Sequence, residues 1–166
     1  MKKKDDVFRL FLASGFFLGL APLVPGSFGA LSGLAWHLAA VALGWSGGAV
    51  RLWCLAGAVL FAALHYWLTP WAQRRWRDSD PKNFVLDEVV GYLCVPVFWN
   101  LPAGAGVWVY AAAGFVLFRA LDAIKLPIAR YIDRNVHTAH GVLFDDVVSA
   151  AYTAALVSGF AWMVQG

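Results

Sequence analysis

AVRLWCLAGAVLFAALHYWL, residues 49–68, runs for twenty residues with one formally charged side chain, Arg51. A bilayer core about 30 Å thick is crossed by roughly 20 helical residues, so this stretch reads as a membrane-crossing helix. Four further runs come close to it: Phe28–Trp45, Phe84–Trp99, Ala103–Leu121 and Val147–Val164. Phe8–Val24 is also apolar, but Gly15, Gly19 and Pro22 break it and Pro25 follows it. That pattern suits a re-entrant or interfacial piece better than a clean span. The expected fold is a single all-α membrane-embedded domain over residues 1–166, with about five spans plus this N-terminal segment.

Composition points the same way. Of 166 residues, 61% are hydrophobic and 14% charged, against about 45–50% and 25% in soluble domains. Mean hydropathy is +0.65. One core of this length could not hide so much apolar surface, which argues against a soluble enzyme, a disordered chain or a nucleic-acid-binding protein. Cys54 and Cys94 both lie inside apolar runs without CxxC spacing, so they read as buried small hydrophobes. The opening Met1-Lys2-Lys3-Lys4 has a signal-like basic character. The apolar stretch after it contains prolines and no small-x-small cleavage pattern, so the segment is expected to be retained.

The charges set an orientation. Lys2, Lys3, Lys4 and Arg9 precede the first span; Arg74, Arg75, Arg77 and Lys82 lie between the second and third; Arg119, Lys125, Arg130 and Arg134 flank the stretch between the fourth and fifth. With these regions on one side, Arg51 alone among Lys and Arg lies opposite, and the positive-inside rule makes the common side cytoplasmic. Trp45, Trp53, Trp67, Trp71 and Trp99 fall near span ends, where interfacial indoles are expected. All ten acidic residues fall on the same side. Charge sorting does not require that of acids, so the chemistry is expected at the cytoplasmic face.

Four constellations could carry it. Leu86-Asp87-Glu88-Val89-Val90-Gly91 and Phe144-Asp145-Asp146-Val147-Val148-Ser149 share one pattern: apolar, acid, acid, Val, Val, small. On a helix the second acid and the small residue three positions later share a face, which admits a close neighbour. Two such helix starts could gather four carboxylates, a hard-oxygen set suited to Mg²⁺; equally, each could be an acidic pair favoured by its own helix dipole. Arg119, Asp122 and Lys125 are spaced by three, which fits either an ion-pair ladder or a metal-binding carboxylate between two phosphate-binding cations. Pro25-Gly26-Ser27-Phe28-Gly29 reads as a turn with Ser27 as N-cap, at a helix start whose amides could meet phosphate. His37 and His65 read as hydrogen-bonded within the bundle. His137 and His140 precede the second acid pair, at a spacing that metal ligation would also allow.

Taken together these blocks resemble the bacterial phosphatidylglycerophosphatase A family over about Leu12–Leu156. Ser14-Gly15-Phe16, Gly19-Leu20-Ala21-Pro22 and Val24-Pro25-Gly26-Ser27-Phe28-Gly29-Ala30-Leu31 are similar to its glycine-rich stretch, with Ser27 and Ala30 standing where the family has Thr and Ser. Asp80-Pro81-Lys82 followed by Val85-Leu86-Asp87-Glu88-Val89-Val90-Gly91 resembles its Asp-Glu-x-x-Gly block. Phe118–Lys125, Asp133–His137 and Gly141–Asp146 supply the remainder. The chain departs at Lys125-Leu126-Pro127-Ile128, where the family has Lys-Pro-x-Pro, and at Thr138-Ala139, where it has a Gly pair. Both changes lie in the loop expected to shape a headgroup pocket, and bear on substrate identity more than on phosphatase chemistry.

The resemblance implies Mg²⁺-dependent hydrolysis of phosphatidylglycerophosphate to phosphatidylglycerol and phosphate, at the cytoplasmic face of the bacterial inner membrane. Its acidic positions fall on Asp87, Glu88, Asp122, Asp145 and Asp146, as catalytic and metal-binding residues. Arg119 and Lys125, with Arg130, Arg134 and Ser27, are the expected contacts to the phospholipid substrate. The rival readings are a phosphatase for another lipid phosphomonoester, such as phosphatidate or an isoprenyl phosphate, and a non-catalytic cation-binding membrane protein. Clustering of the ionisable groups at one face disfavours a transporter, which would place them near mid-membrane.

Overall fold

A computed structural model describes residues 2–136 and 138–165, whose regular elements are all helices, with no strand among the described residues. The helices are α1 (Lys2–Ala13), α2 (Pro25–Ala42), α3 (Gly47–Trp76), α4 (Leu86–Phe98), α5 (Val107–Ile124), α6 (Pro127–Asn135) and α7 (Ala139–Gln165), with a 3₁₀ turn at Leu18–Leu20. α3, α5 and α7 are long and apolar enough to cross a membrane. Their outward positions are large apolar side chains, among them Leu52, Val59, Trp67, Val109, Val116, Phe160 and Met163, as a lipid-facing surface requires.

The count of five spans is not reached by that criterion. The run Phe28–Trp45 becomes α2, in which Pro25, Gly26, Ser27 and His37 dilute the apolar character. The run Phe84–Trp99 becomes α4, whose 13 residues reach about 20 Å at 1.5 Å per residue. α4 is instead the buried centre: every residue from Leu86 to Pro96 except Glu88 is buried. It packs most extensively on α7 and α3, and then on α2.

Close packing against α4 comes from small residues. On α2, a Cβ added at Gly29 would lie 2.6 Å from the Val85 Cβ, and one at Gly33 would lie 3.0 Å from the Val89 carbonyl oxygen. A stripe of this kind lets two backbones approach, and in lipid such contact replaces the hydrophobic effect as the source of helix association. On α4 itself, a Cβ at Gly91 would meet Phe118 at 2.5 Å and the Asp146 Cβ at 2.9 Å. The small residue at the end of the repeated acidic pattern therefore sets the α4–α7 distance.

The N-terminal segment is irregular where the glycines and prolines predict it. Gly15, Phe16, Phe17 and Val24 have positive φ. The segment folds back so that Asn83 Nδ2 donates to the Gly19 carbonyl at 2.7 Å and the Val85 amide donates to Ala13 at 3.2 Å. Phe16, Phe17, Leu18, Leu20 and Leu23 point outward. α6 has no counterpart among the expected runs: Pro127 starts it at the first helical position, which proline favours. The predicted interfacial tryptophans divide. Trp53 stacks at 4.3 Å on Trp36, which is not one of that set, and the two donate to each other's carbonyls between α2 and α3, whereas Trp45 and Trp99 line a cavity at the end opposite the acids.

Candidate active site

The start of α2, the α3–α4 loop, the start of α4, the end of α5, the end of α6 and the first turns of α7 enclose a cavity of about 410 Å³. Asp87, Glu88, Asp122, Asp145 and Asp146 all line it, although they come from three helices. Asp80 and Asp133, to which the sequence alone assigns no role, stand with them. Seven carboxylates therefore face three cations, Lys82, Arg119 and Lys125, a formal excess of four negative charges. Such an excess disfavours an entering phosphate and favours added positive charge.

Two of the cations are already engaged. Arg119 Nη1 lies 2.8 Å from Asp122 Oδ2, and Arg119 Nε donates to Ser27 Oγ at 3.3 Å. The guanidinium is thus fixed from α5 and α2 at once. Gly26 makes this possible, because a Cβ there would overlap Glu88 Oε1 and sit 2.9 Å from Arg119 Nη2. Lys125 is the residue just past α5. Its φ of 52° is unusual for a residue with a side chain and turns it off the helix toward α7. Its ammonium donates to Asp145 Oδ2 and lies 3.3 Å from Asp133 and 3.7 Å from Asp122. Burial works against its charge, but the Asp145 hydrogen bond and the charges of Asp145, Asp122 and Asp146 outweigh that and raise its pKa.

The remaining carboxylates are less satisfied. Asp87 Oδ1, Glu88 Oε2 and Asp146 Oδ2 are buried without any hydrogen-bond partner. Asp87 is 7% exposed and Asp146 4%. Leaving a buried carboxylate oxygen unpaired is costly. Two groups offer oxygens within 4.8 Å of one another: Asp87, Glu88 and Asp146, and Asp122, Asp145 and Asp146. All-oxygen donors of this kind fit a hard divalent cation such as Mg²⁺, which would satisfy those lone pairs.

Several expected placements change. Ser27 is not an N-cap, since α2 begins two residues earlier at Pro25, with Val24 in the left-handed region before it; the hydroxyl instead accepts from Arg119. Asp145 and Asp146 lie in the second turn onward of α7, which starts at Ala139, so no dipole effect of a helix start explains them. Arg130 does not line the cavity: its guanidinium donates to the Ile124 and Lys125 carbonyls, capping the end of α5. Arg134, on the last turn of α6, is exposed and also outside the lining. Leu126, Pro127, Thr138 and Ala139 are outside it too, and Asp133, Val136 and Val142 shape that wall. His65 Nε2 pairs with the Ala139 carbonyl at 3.0 Å and His37 Nδ1 with Tyr92 at 3.2 Å, as bundle histidines. His140 pairs with Tyr66 at 3.0 Å; His137 lies outside the described residues.

Residues 11–161 match the family described as Phosphatidylglycerophosphatase A. The chain is similar to the Escherichia coli phosphatidylglycerophosphatase A, at 33% identity over 146 residues covering 88% of this chain and 79% of that one. It is similar to the Haemophilus influenzae phosphatidylglycerophosphatase A at 31% over 154 residues, covering 92% and 89%. A Bacteroides thetaiotaomicron protein with the provisional name phosphatidylinositol-3-phosphatase is 29% identical over 164 residues, covering 98% and 99%. No solved structure matches the chain.

Proposed function

The chain belongs to the phosphatidylglycerophosphatase A family and is a phosphatase; on that premise we propose that it hydrolyses phosphatidylglycerophosphate to phosphatidylglycerol and inorganic phosphate, with Mg²⁺, at the cytoplasmic face of the inner membrane. The observation that carries this reading is the cavity itself, where unpartnered buried carboxylate oxygens stand beside two positioned cations. In the reaction a water oxygen bonds to phosphorus, the bond from phosphorus to the glycerol oxygen breaks, and that oxygen leaves as a hydroxyl after taking a proton.

The metal's ligands would come from among Asp87, Glu88, Asp122, Asp145 and Asp146. When bound, Mg²⁺ supplies Lewis-acid charge for the phosphoryl oxygens. The chain's own part is positioning and electrostatics. Arg119, held by Ser27 and Asp122, offers its remaining donors to a phosphate in a fork that suits phosphate oxygens. Lys125 adds a point charge near the other oxygen of Asp122. Both groups are fixed before substrate arrives, so they need not reorganise as charge develops. The exposed apolar side chains of Phe16, Phe17, Leu18, Leu20 and Leu23 precede the pocket-lining Val24 and Pro25 in the chain and offer a surface suited to acyl chains.

Phosphate release from phosphatidylglycerophosphate by purified, detergent-solubilised protein tests this, with Mg²⁺ or EDTA and with Asp146→Asn. Release that needs Mg²⁺ and falls about 10²–10³-fold in the variant, the range for losing one charge-stabilising group, is the expected result. No release from a folded preparation would sink this substrate. The Bacteroides relative favours one second reading, a phosphomonoester on a phosphatidylinositol headgroup, so phosphatidylinositol 3-phosphate belongs in the same assay.

A further inference from the structure

The two carboxylate groups of the cavity share Asp146 but differ in what already occupies them. In the group formed by Asp87, Glu88 and Asp146, each residue has one buried oxygen without a partner. In the group formed by Asp122, Asp145 and Asp146, Asp122 is paired with Arg119 at 2.8 Å, and Asp145 is hydrogen-bonded by the Lys125 ammonium. Lys125 also lies 3.7 Å from Asp122, so its nitrogen sits among the oxygens that a second cation would need. A divalent ion there would meet a positive charge within bonding range of its own ligands, which is unfavourable in a weakly screened interior.

Resting on the metal reading above, we propose that the chain binds one divalent cation, at Asp87, Glu88 and Asp146, and that Lys125 takes the place of a second. The backbone at Lys125 supports this as well. The backbone turns into the left-handed region at Lys125, and such a conformation in a residue with a side chain persists where the surroundings impose it. Here the imposed turn delivers the ammonium to Asp145 on α7. Asp146 then belongs to the metal on one side and borders the lysine-filled group on the other.

Mn²⁺ serves as a paramagnetic probe of the Mg²⁺ site. Free Mn²⁺ is titrated by electron paramagnetic resonance against purified, detergent-solubilised protein, with folding checked by near-ultraviolet circular dichroism. The expected result is one Mn²⁺ per chain in the wild type, binding at least tenfold weaker in Asp87→Asn and within about threefold of wild type in Asp145→Asn. Lys125→Met should bind two. Lys125→Gln serves if the methionine variant does not fold, and the two aspartate variants decide the placement in either case. Two ions in the wild type, one ion that responds to Asp145→Asn and not to Asp87→Asn, or folded lysine variants that still bind one would each overturn this inference alone. A folded wild type that binds no Mn²⁺ would overturn the metal reading itself.

Discussion

Gly26 and Arg119 depend on each other: the missing side chain of one leaves room for the guanidinium of the other and for the Glu88 carboxylate. Gly26→Ala should therefore cut phosphate release about tenfold or more while leaving the melting temperature in detergent near wild type, since alanine favours a helix by about 0.5–1 kcal/mol. Gly159→Ala is the control, because a Cβ there meets nothing within 4 Å, and activity should not change. The arginines separate in the same way. Arg119→Gln should cost about 10²-fold in turnover, whereas Arg130→Gln, at an exposed helix cap, should stay within about threefold and cost at most about 1 kcal/mol of stability. Steady-state phosphate release with thermal melting tests both pairs. Sequence spacing brought Arg119 forward because three-residue steps are visible in a string. It ranks Arg130 behind Arg119 but does not reveal its capping role, since carbonyl capping depends on how the chain turns after Ile124.

At the scale of elements, the repeated acid-acid-Val-Val-small pattern becomes a helix pair. Gly91 on α4 is in contact range of Asp146 on α7, and Gly91→Ala should destabilise by about 1–3 kcal/mol, the usual cost of overpacking. Ser149 is buried with no partner for its hydroxyl, so Ser149→Ala should be neutral or stabilising. Unfolding titrations in mixed detergent and SDS would measure both. The long apolar helices α3, α5 and α7 were readable from hydropathy over a bilayer-sized window. α2 and α4 were readable as apolar runs but not as short inner helices, because hydropathy does not tell lipid from a protein interior. The starts of α2 and α7 differ because α2 already begins at Pro25, a residue suited to the first helical turn, and because α7 extends through Ala139–Phe144, where the sequence resembles a loop.

Across the whole molecule, α2, α3, α4, α5 and α7 alternate in direction. One end thereby collects the carboxylates, and the other collects Arg51 with Trp45 and Trp99. If the acidic end faces the cytoplasm, Ser79→Cys should resist a membrane-impermeant maleimide in intact cells, and Ala103→Cys should react. Labelling would be done with Cys54 and Cys94 replaced by alanine; both are buried and should be inert in the folded wild type. The reverse pattern would invert the orientation.

The central position of α4 also bears on how the protein is made. A helix of 13 residues that carries Asp87 and Glu88 in its first turn has little drive to settle in lipid by itself, and its principal neighbour α7 is made only after α5 and α6. Nascent chains halted before Phe144 should therefore hold α4 loosely and be open to membrane quality-control proteases. The acid-lined cavity is complete only once α7 has joined α4, so a chain halted before Phe144 should release no phosphate from lipid.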